Sequence, residues 1–244
     1  MEDGDLALIW SYLAREPLLW LTATLAAFWA ADRAAAATGR APWANPVIGA
    51  VALLSLVLTA TGTPYADYFA GAQFVHFMLG PAIVALAVPL WQNRARVRAA
   101  ALPMLAALLA ASLTAMVSAV AVAAAFGVPF EVLAAVAPKS ATAPVAIGIA
   151  ERLGGAPTLA AVLALLTGVI GAVVATPLLN ALGMRDWRAR GFAVGVAAHG
   201  IGTARAFQVN ETAGAFAGLG MGLNAILTAL AAPVVLALMT GTSP

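Results

Sequence analysis

The chain has no cysteine, which rules out disulfides and thiolate metal ligands. It has two histidines, His76 and His199, too few for an ordinary zinc site. We therefore expect neither a bound metal nor any other cofactor. Charge is scarce too. Acidic and basic residues make up 9% of the 244 positions and hydrophobic ones 63%, whereas a soluble domain carries roughly 25% charged residues. A chain so poor in charge cannot coat its own surface with polar groups, so its outside must meet lipid. The net charge is only +2, and the twelve basic residues sit singly or in short clusters between apolar runs. Such clusters flank membrane segments; they do not form a nucleic-acid footprint. The acidic start, Met1 to Asp5, lacks the basic region of a cleaved signal peptide and is read as part of the mature chain.

What the chain does have is long apolar runs. Those over 99–126, 159–179 and 213–239 each exceed the ~20 residues that cross a bilayer as a helix. The full set of expected spans is 17–37, 45–61, 74–91, 99–126, 157–182 and 213–240. Gly80-Pro81 interrupts the third of these, a loop over 62–73 precedes it, and 6–14 reads as an amphipathic interfacial segment. Residues 138–152 and 191–211 are too short and too polar for plain spans. The expectation is an all-α polytopic membrane protein, one integral membrane domain over 1–244. It has about six full spans plus two re-entrant or broken helices.

Charge placement refines this. Cytoplasmic loops collect Lys and Arg, and the basic clusters are Arg33/Arg40, Arg94–Arg98 and Arg185–Arg190. If all three lie inside, 131–152 must enter and leave on the outside, and 191–211 re-enters from the inside. The strings Lys139–Glu151 and His199–Glu211 are both thirteen residues long. Each begins with a basic or titratable residue, passes through small residues and ends in Glu. The units 138–182 and 198–240 would then be an inverted repeat, the arrangement of many secondary transporters. Eight plain crossings are the alternative, and they put 185–190 outside.

The two polar strings carry the chemistry. Lys139, Ser140 and Thr142 precede Pro144, which favours a helix starting near Ala143 with Thr142 as its cap. Its free N–H groups and positive dipole end would make an anion site, to which Lys139 adds a full charge. The plainer reading is a capped interfacial helix with Lys139 reaching for the headgroups. In the second string Gly200 and Gly202 allow close backbone approach, Thr203 offers a hydroxyl and Arg205 can grip a carboxylate bidentately. His199, Glu211 and the matching Glu151 are candidate proton carriers. The plainer reading makes Arg205 a snorkelling anchor or a partner of Glu211. In the last span Gly214, Gly218 and Gly222 suit helix packing, and Asn224 is either a ligand group or an interhelical tie. His76 reads as an interface residue. His199 with Ser140 is the one conceivable catalytic pair, and no acid or backbone elbow accompanies it, so no enzyme is expected.

Three motifs carry a resemblance. They are Pro138-Lys139-Ser140-x-Thr142-x-Pro144, His199-Gly200-Ile201-Gly202-Thr203-Ala204-Arg205-Ala206, and Gly214-Ala215-Phe216-Ala217-Gly218-Leu219-x-Met221-Gly222-Leu223-Asn224. Over about 40–240 the chain resembles the LrgB/CidB family. The resemblance implies a multi-pass protein of the bacterial inner membrane. Bacterial members are described as antiholin-like regulators of murein hydrolase export and lysis, working with a small LrgA/CidA-type membrane protein. The related plant chloroplast protein moves glycolate and glycerate, and other members are linked to pyruvate. The leading expectation is thus a transporter of small monocarboxylates that holds the carboxylate at half-helix N-termini with Thr142, Thr203 and Arg205. The second is the antiholin-like regulator, which would use its packing faces on a partner or on a second copy of itself. One departure is Ala143, where the family usually has a second Thr.

Overall fold

The computed structural model describes residues 16–41, 43–78, 81, 84, 85, 88, 91 and 94–241. The interfacial segment expected at 6–14 and Gly80 of the expected break lie outside the described residues, as does much of 74–91. Every regular element described is an α-helix. The helices cluster into two compact units, Met1–Ala85 and Leu86–Pro244.

The first unit contains α1 (Pro17–Ala37), α2 (Pro46–Thr61) and α3 (Tyr65–Phe77). Pro17 and Pro46 stand in first turns, where a missing N–H costs nothing. The Asn45 side chain accepts from the Val47 N–H at 2.8 Å and caps α2. Trp20 is buried and meets the Tyr68 ring edge-on, with centroids 5.8 Å apart. Residues 65–73, expected in a loop, are helical. The reason is Gly71: a Cβ there would lie 2.1 Å from the Pro17 carbonyl oxygen, so this glycine is a helix contact and not a loop residue.

The second unit contains α4 (Arg94–Ala99), α5 (Ala101–Ala125), α6 (Phe130–Val136), α7 (Ala143–Arg152), α8 (Pro157–Ala181), α9 (Trp187–Val209) and α10 (Glu211–Thr240). Three described helices, α5, α8 and α10, are long and apolar enough to cross a membrane, and they match the expected spans closely. α2 is apolar but 16 residues long. At ~1.5 Å per residue it is shorter than ~30 Å of hydrocarbon.

Between these long helices lie two hairpins. α6 and α7 have their outer ends side by side: the Ala156 N–H donates to Glu131 O at 3.3 Å, and Gly155 lies under Ala134. The turn 137–142 is therefore at the far end. α9 is not one rod. At His199 the backbone takes φ 40° and ψ −132°, and the chain doubles back. Residues 187–197 run parallel to the start of α10, with Gly191 against Ala213 and Gly195 against Ala217. Residues 200–209 run the other way, with Thr203 beside Met221 and Phe207 beside Gly214. The tip is Ala198–His199.

The hairpins open to opposite ends of this unit. The base of the first lies where α8 begins, and the base of the second where α8 ends and α10 begins. The segments 130–181 and 187–240 are thus inverted relative to each other. Near its start α5 packs Met104 and Leu108 on Phe192 and Phe216. Near its end it packs Met116 and Val120 on Leu133 and Ala134. So Arg94–Arg98 and Arg185–Arg190 stand at the same end, as the charge bias requires. The absence of cysteine makes this easy to check in membrane vesicles. Ala95→Cys and Arg185→Cys are expected to react with an impermeant maleimide from one face, and Phe126→Cys from the other. Labelling of Ala95→Cys and Arg185→Cys from opposite faces would rule out the inverted arrangement.

Candidate functional site

Both hairpin tips reach the middle of the long helices and are bonded there. Asn224, at the centre of α10, donates its amide to Ser140 O in the first tip at 3.0 Å. Its carbonyl oxygen accepts from the Ser112 hydroxyl at the centre of α5. At the second tip His199 Nε2 lies 2.7 Å from Ala164 O of α8. A carbonyl can only accept, so Nε2 carries the proton. The ties are related. The offset of 60 residues that pairs Lys139 with His199 also pairs Ala164 with Asn224. Each tip is thus bonded to the long helix of the other repeat, at equivalent positions.

Local sequence explains the second tip. A Cβ at Gly168 would lie 2.5 Å from His199 Cε1, so glycine makes room for the imidazole. A Cβ at Gly171 would lie 2.4 Å from that of Ala198. The left-handed φ of His199 is a strained conformation costing about 1–3 kcal/mol. The Ala164 bond and the Thr203 hydroxyl, which donates to His199 O at 2.7 Å, hold it in place.

Between the tips lies a cavity of about 380 Å³. Its lining comprises Lys139 and Ser140 of the first tip, Val196 and Ala197 below the second, Thr167, Ile170 and Gly171 of α8, and Ala111 and Ala115 of α5. Lys139 Nζ approaches Ser140 Oγ at 3.4 Å. Among the described residues no other ionisable side chain lines this space. A second hollow of about 500 Å³ starts at the end carrying Asp186 and Arg188 and shares Ala111 and Val196 with the first. At the mouth of the second hollow Asp186 caps α9 through the Arg188 N–H at 2.8 Å and pairs with the guanidinium at 2.6 Å, which holds its carboxyl at about 2.

The expected site residues are distributed as follows. Thr142 is the N-cap residue of α7, half-buried, with no side-chain cap bond. α7 and the 200–209 arm both begin at their tips, so both positive helix ends face the middle of this unit. Lys139 and Ser140 line the cavity; Thr142, Gly200, Gly202, Thr203 and Arg205 do not. Gly202 lies inside its own hairpin against Val194 and Ala198, and Gly200 lies beside Met221. Arg205 sits lower on the returning arm, in a separate crevice of about 20 Å³ with Trp187 and Arg190, and donates to Gln208 Oε1 at 3.4 Å. Glu151 and Glu211 are exposed at the bases of the first and second hairpins, at opposite ends. Asn224 is an interhelical tie. His76 lies in α3.

Sequence reading missed Thr167, Ser112, Gly168 and the pair Gly191 and Gly195. The last had a visible signal, glycines four apart opposite alanines four apart at Ala213 and Ala217. Gly222, expected to pack, faces open space: a methyl group added there would meet nothing within 4 Å.

The LrgB-like family model matches residues 24–238. The chain is 30% identical to the Holin-like protein CidB of Staphylococcus epidermidis over 197 residues, 81% of this chain and 86% of that one. It is 33% identical to the uncharacterized protein YxaC of Bacillus subtilis, covering 80% and 84% of the two chains. An uncharacterized protein of Haemophilus influenzae is 31% identical over the same shares. No solved structure matches.

Proposed function

Given that the chain belongs to the LrgB-like family, we propose that it is a multi-pass bacterial inner-membrane transporter of small monocarboxylates of the glycolate, glycerate or pyruvate type. The observation that carries this reading is the cavity between two oppositely inserted hairpin tips, with a lysine and the start of a half-helix beside it. Opposed half-helices around a central site are a transporter architecture. The carboxylate binds at Lys139 and Ser140, with Thr167 offering a further hydroxyl. His199 stands at the other tip as the candidate proton carrier. Thr203 braces that tip. Arg205, away from the cavity, fixes the returning arm. The activity is passage and not catalysis: Ser140 faces Lys139, and His199 is engaged by Ala164.

A second reading is favoured by the relatives' names. CidB of Staphylococcus epidermidis is called holin-like, and none of these names mentions a carried solute. On this reading the chain is an antiholin-like regulator of murein hydrolase export and lysis that acts with a small LrgA/CidA-type membrane protein. The names speak for it more directly than for transport. Purified protein in proteoliposomes separates the two. Transport predicts saturable uptake of labelled glycolate, glycerate or pyruvate, competed by unlabelled compound, without leakage of a trapped dye. No uptake of any of the three, together with altered dye release when an LrgA/CidA-type protein is co-reconstituted, would replace the transport reading with the regulatory one.

A further inference from the structure

Apart from the central cavity, the second unit has the larger hollow of about 500 Å³ between α5 and the first arm of α9. We propose that this hollow is a lipid site. It holds one acyl chain of an anionic phospholipid from the leaflet on the basic side, with the phosphate at Arg98 and Arg185. A transporter and a regulator would both have such a site, so the inference goes beyond either reading.

The hollow is apolar along its length. Met104, Phe192 and Phe216 form its floor, and Ala107 of α5 and Ala193 of α9 stand on its sides. Among the described residues the polar side chains that line it are Asp186 and Arg188, both at the mouth. An apolar space with one polar end suits an amphiphile. A carboxylate in transit would have to shed its water against hydrocarbon walls. Length points the same way. From Ala100 to Ala111, both in the lining, α5 advances about 16 Å, close to the ~15 Å of hydrocarbon in one leaflet. A partner helix crossing the bilayer would need ~30 Å, twice what the hollow offers.

The mouth supplies the charge and the depth. Arg98 adjoins Ala99 and Arg185 adjoins Met184, and both neighbours line the hollow. The two arginines are exposed, and among the described residues neither makes an ion pair. Asp186 is engaged by Arg188 at 2.6 Å, so the mouth keeps positive charge. Trp91 and Trp187 are exposed at the same end, each under a guanidinium, Arg94 at 4.8 Å and Arg190 at 4.7 Å from the ring centres. Tryptophan gathers at the level of the headgroups, which puts the mouth at the depth of lipid phosphates. Basic pockets between spans on the cytoplasmic side attract anionic headgroups. Here the hollow behind the arginines adds room for the tail.

The test is binding of phosphatidylglycerol and phosphatidylcholine to the purified full chain in detergent micelles, read by native mass spectrometry as lipid retained per chain. One tightly held phosphatidylglycerol is expected, bound roughly tenfold better than phosphatidylcholine, since each interfacial arginine is worth about fivefold. The double variant Arg98→Gln, Arg185→Gln should bring the two lipids within about twofold of each other. Ala107→Phe fills the hollow and should weaken both lipids about tenfold, whereas Ala106→Phe, on an exposed position outside the lining, should bind like the parent. Inorganic phosphate in excess should not displace the lipid, because it has no chain to fill the hollow; displacement would make this a free-phosphate site. Equal retention of the two lipids by the parent overturns the proposal, as does an Ala107→Phe variant that behaves like Ala106→Phe. The parent comparison needs no variant, so a misfolded one leaves it decisive. Ala107→Cys gives an independent check in membrane vesicles. Ready reaction with an impermeant charged maleimide from the basic face would show a water-filled hollow and sink the lipid site.

Discussion

Gly195→Ala is expected to abolish most of the folded protein. A Cβ at Gly195 would lie 1.9 Å from Ala217 O, and one at Gly191 would lie 2.0 Å from Ala213 O. The obstacle in both cases is helix backbone, which cannot rotate away like the end of a side chain. The first arm of α9 and α10 would have to separate along their whole shared length. Ordinary overpacking costs about 1–3 kcal/mol, and a clash with backbone belongs above that range. The separation would also disturb Phe192, Val196 and Phe216, which pack with Met104 and Leu108 of α5. The controls are Gly148→Ala and Gly222→Ala, where an added methyl meets nothing within 4 Å. There alanine should be neutral or stabilising by about 0.5–1 kcal/mol, because it loses less backbone entropy in a helix. Monodisperse yield in detergent and the thermal unfolding midpoint give the comparison. Equal midpoints for Gly195→Ala and Gly222→Ala would show that the two helices do not meet as described.

That contrast shows what the sequence makes legible. The spans of α5, α8 and α10 follow from apolar length alone, because hydrocarbon thickness fixes how many residues a helix needs. Helix starts at Pro17, Pro46 and Pro157 are readable because proline is harmless only in a first turn. The opposed hairpins are readable from arginine placement, since 138–152 and 191–211 are too short to cross and both basic loops favour one side. The interior of the site is not readable. The string from His199 to Arg205 looks like one ligand-binding motif, but the chain reverses at His199, and a helix rises ~1.5 Å per residue. Arg205 is six residues beyond the reversal, which carries it about 9 Å down the returning arm. No local rule puts a reversal on a histidine, a non-glycine residue with φ 40°. The room for it comes from Gly168, on a different helix. In the last span Gly214 packs on Phe207 as expected, but Gly222 misleads: spacing shows which glycines share a face, not which of them meets a neighbour.

The repeat gains most from the structure. As a sequence pattern it is two thirteen-residue strings in an alanine-rich chain. In three dimensions the same offset of 60 residues relates both tips and both anchoring positions. The ties themselves differ. At one tip the side chain belongs to the hairpin, as His199 donates to a carbonyl of α8. At the other it belongs to the long helix, as Asn224 donates to a carbonyl of the hairpin. The geometry is repeated while the donor and acceptor roles are exchanged, so the two tips are held alike by different chemistry.

Asn224→Ala is therefore expected to loosen the first tip and with it the lysine of the cavity. The substitution strips three partners at once, the longest contact being the Thr228 hydroxyl, which donates to the Asn224 carbonyl oxygen at 3.5 Å. The Ser140 carbonyl loses a donor at 3.0 Å, and the Ser112 hydroxyl loses its acceptor. Each buried group left unpaired costs about 1–3 kcal/mol, whereas single interhelical bonds inside membranes average only about 0.6 kcal/mol. With the Ser140 and Ser112 bonds lost, and the longer Thr228 contact adding little, at a residue 1% exposed, a loss of about 2–3 kcal/mol is expected. Ser112→Ala removes one donor and leaves Asn224 its bond to Ser140, so it should cost less. If the three residues form one brace, the double variant should be no worse than Asn224→Ala alone, because the serine has nothing left to lose. Unfolding midpoints of the four proteins measure the coupling. Glycolate affinity should fall in Asn224→Ala and stay near the parent value in Ser112→Ala, since only the first frees the Lys139-Ser140 turn. Strictly additive midpoints, with affinity unchanged in Asn224→Ala, would mean that Asn224 packs between helices without positioning the tip.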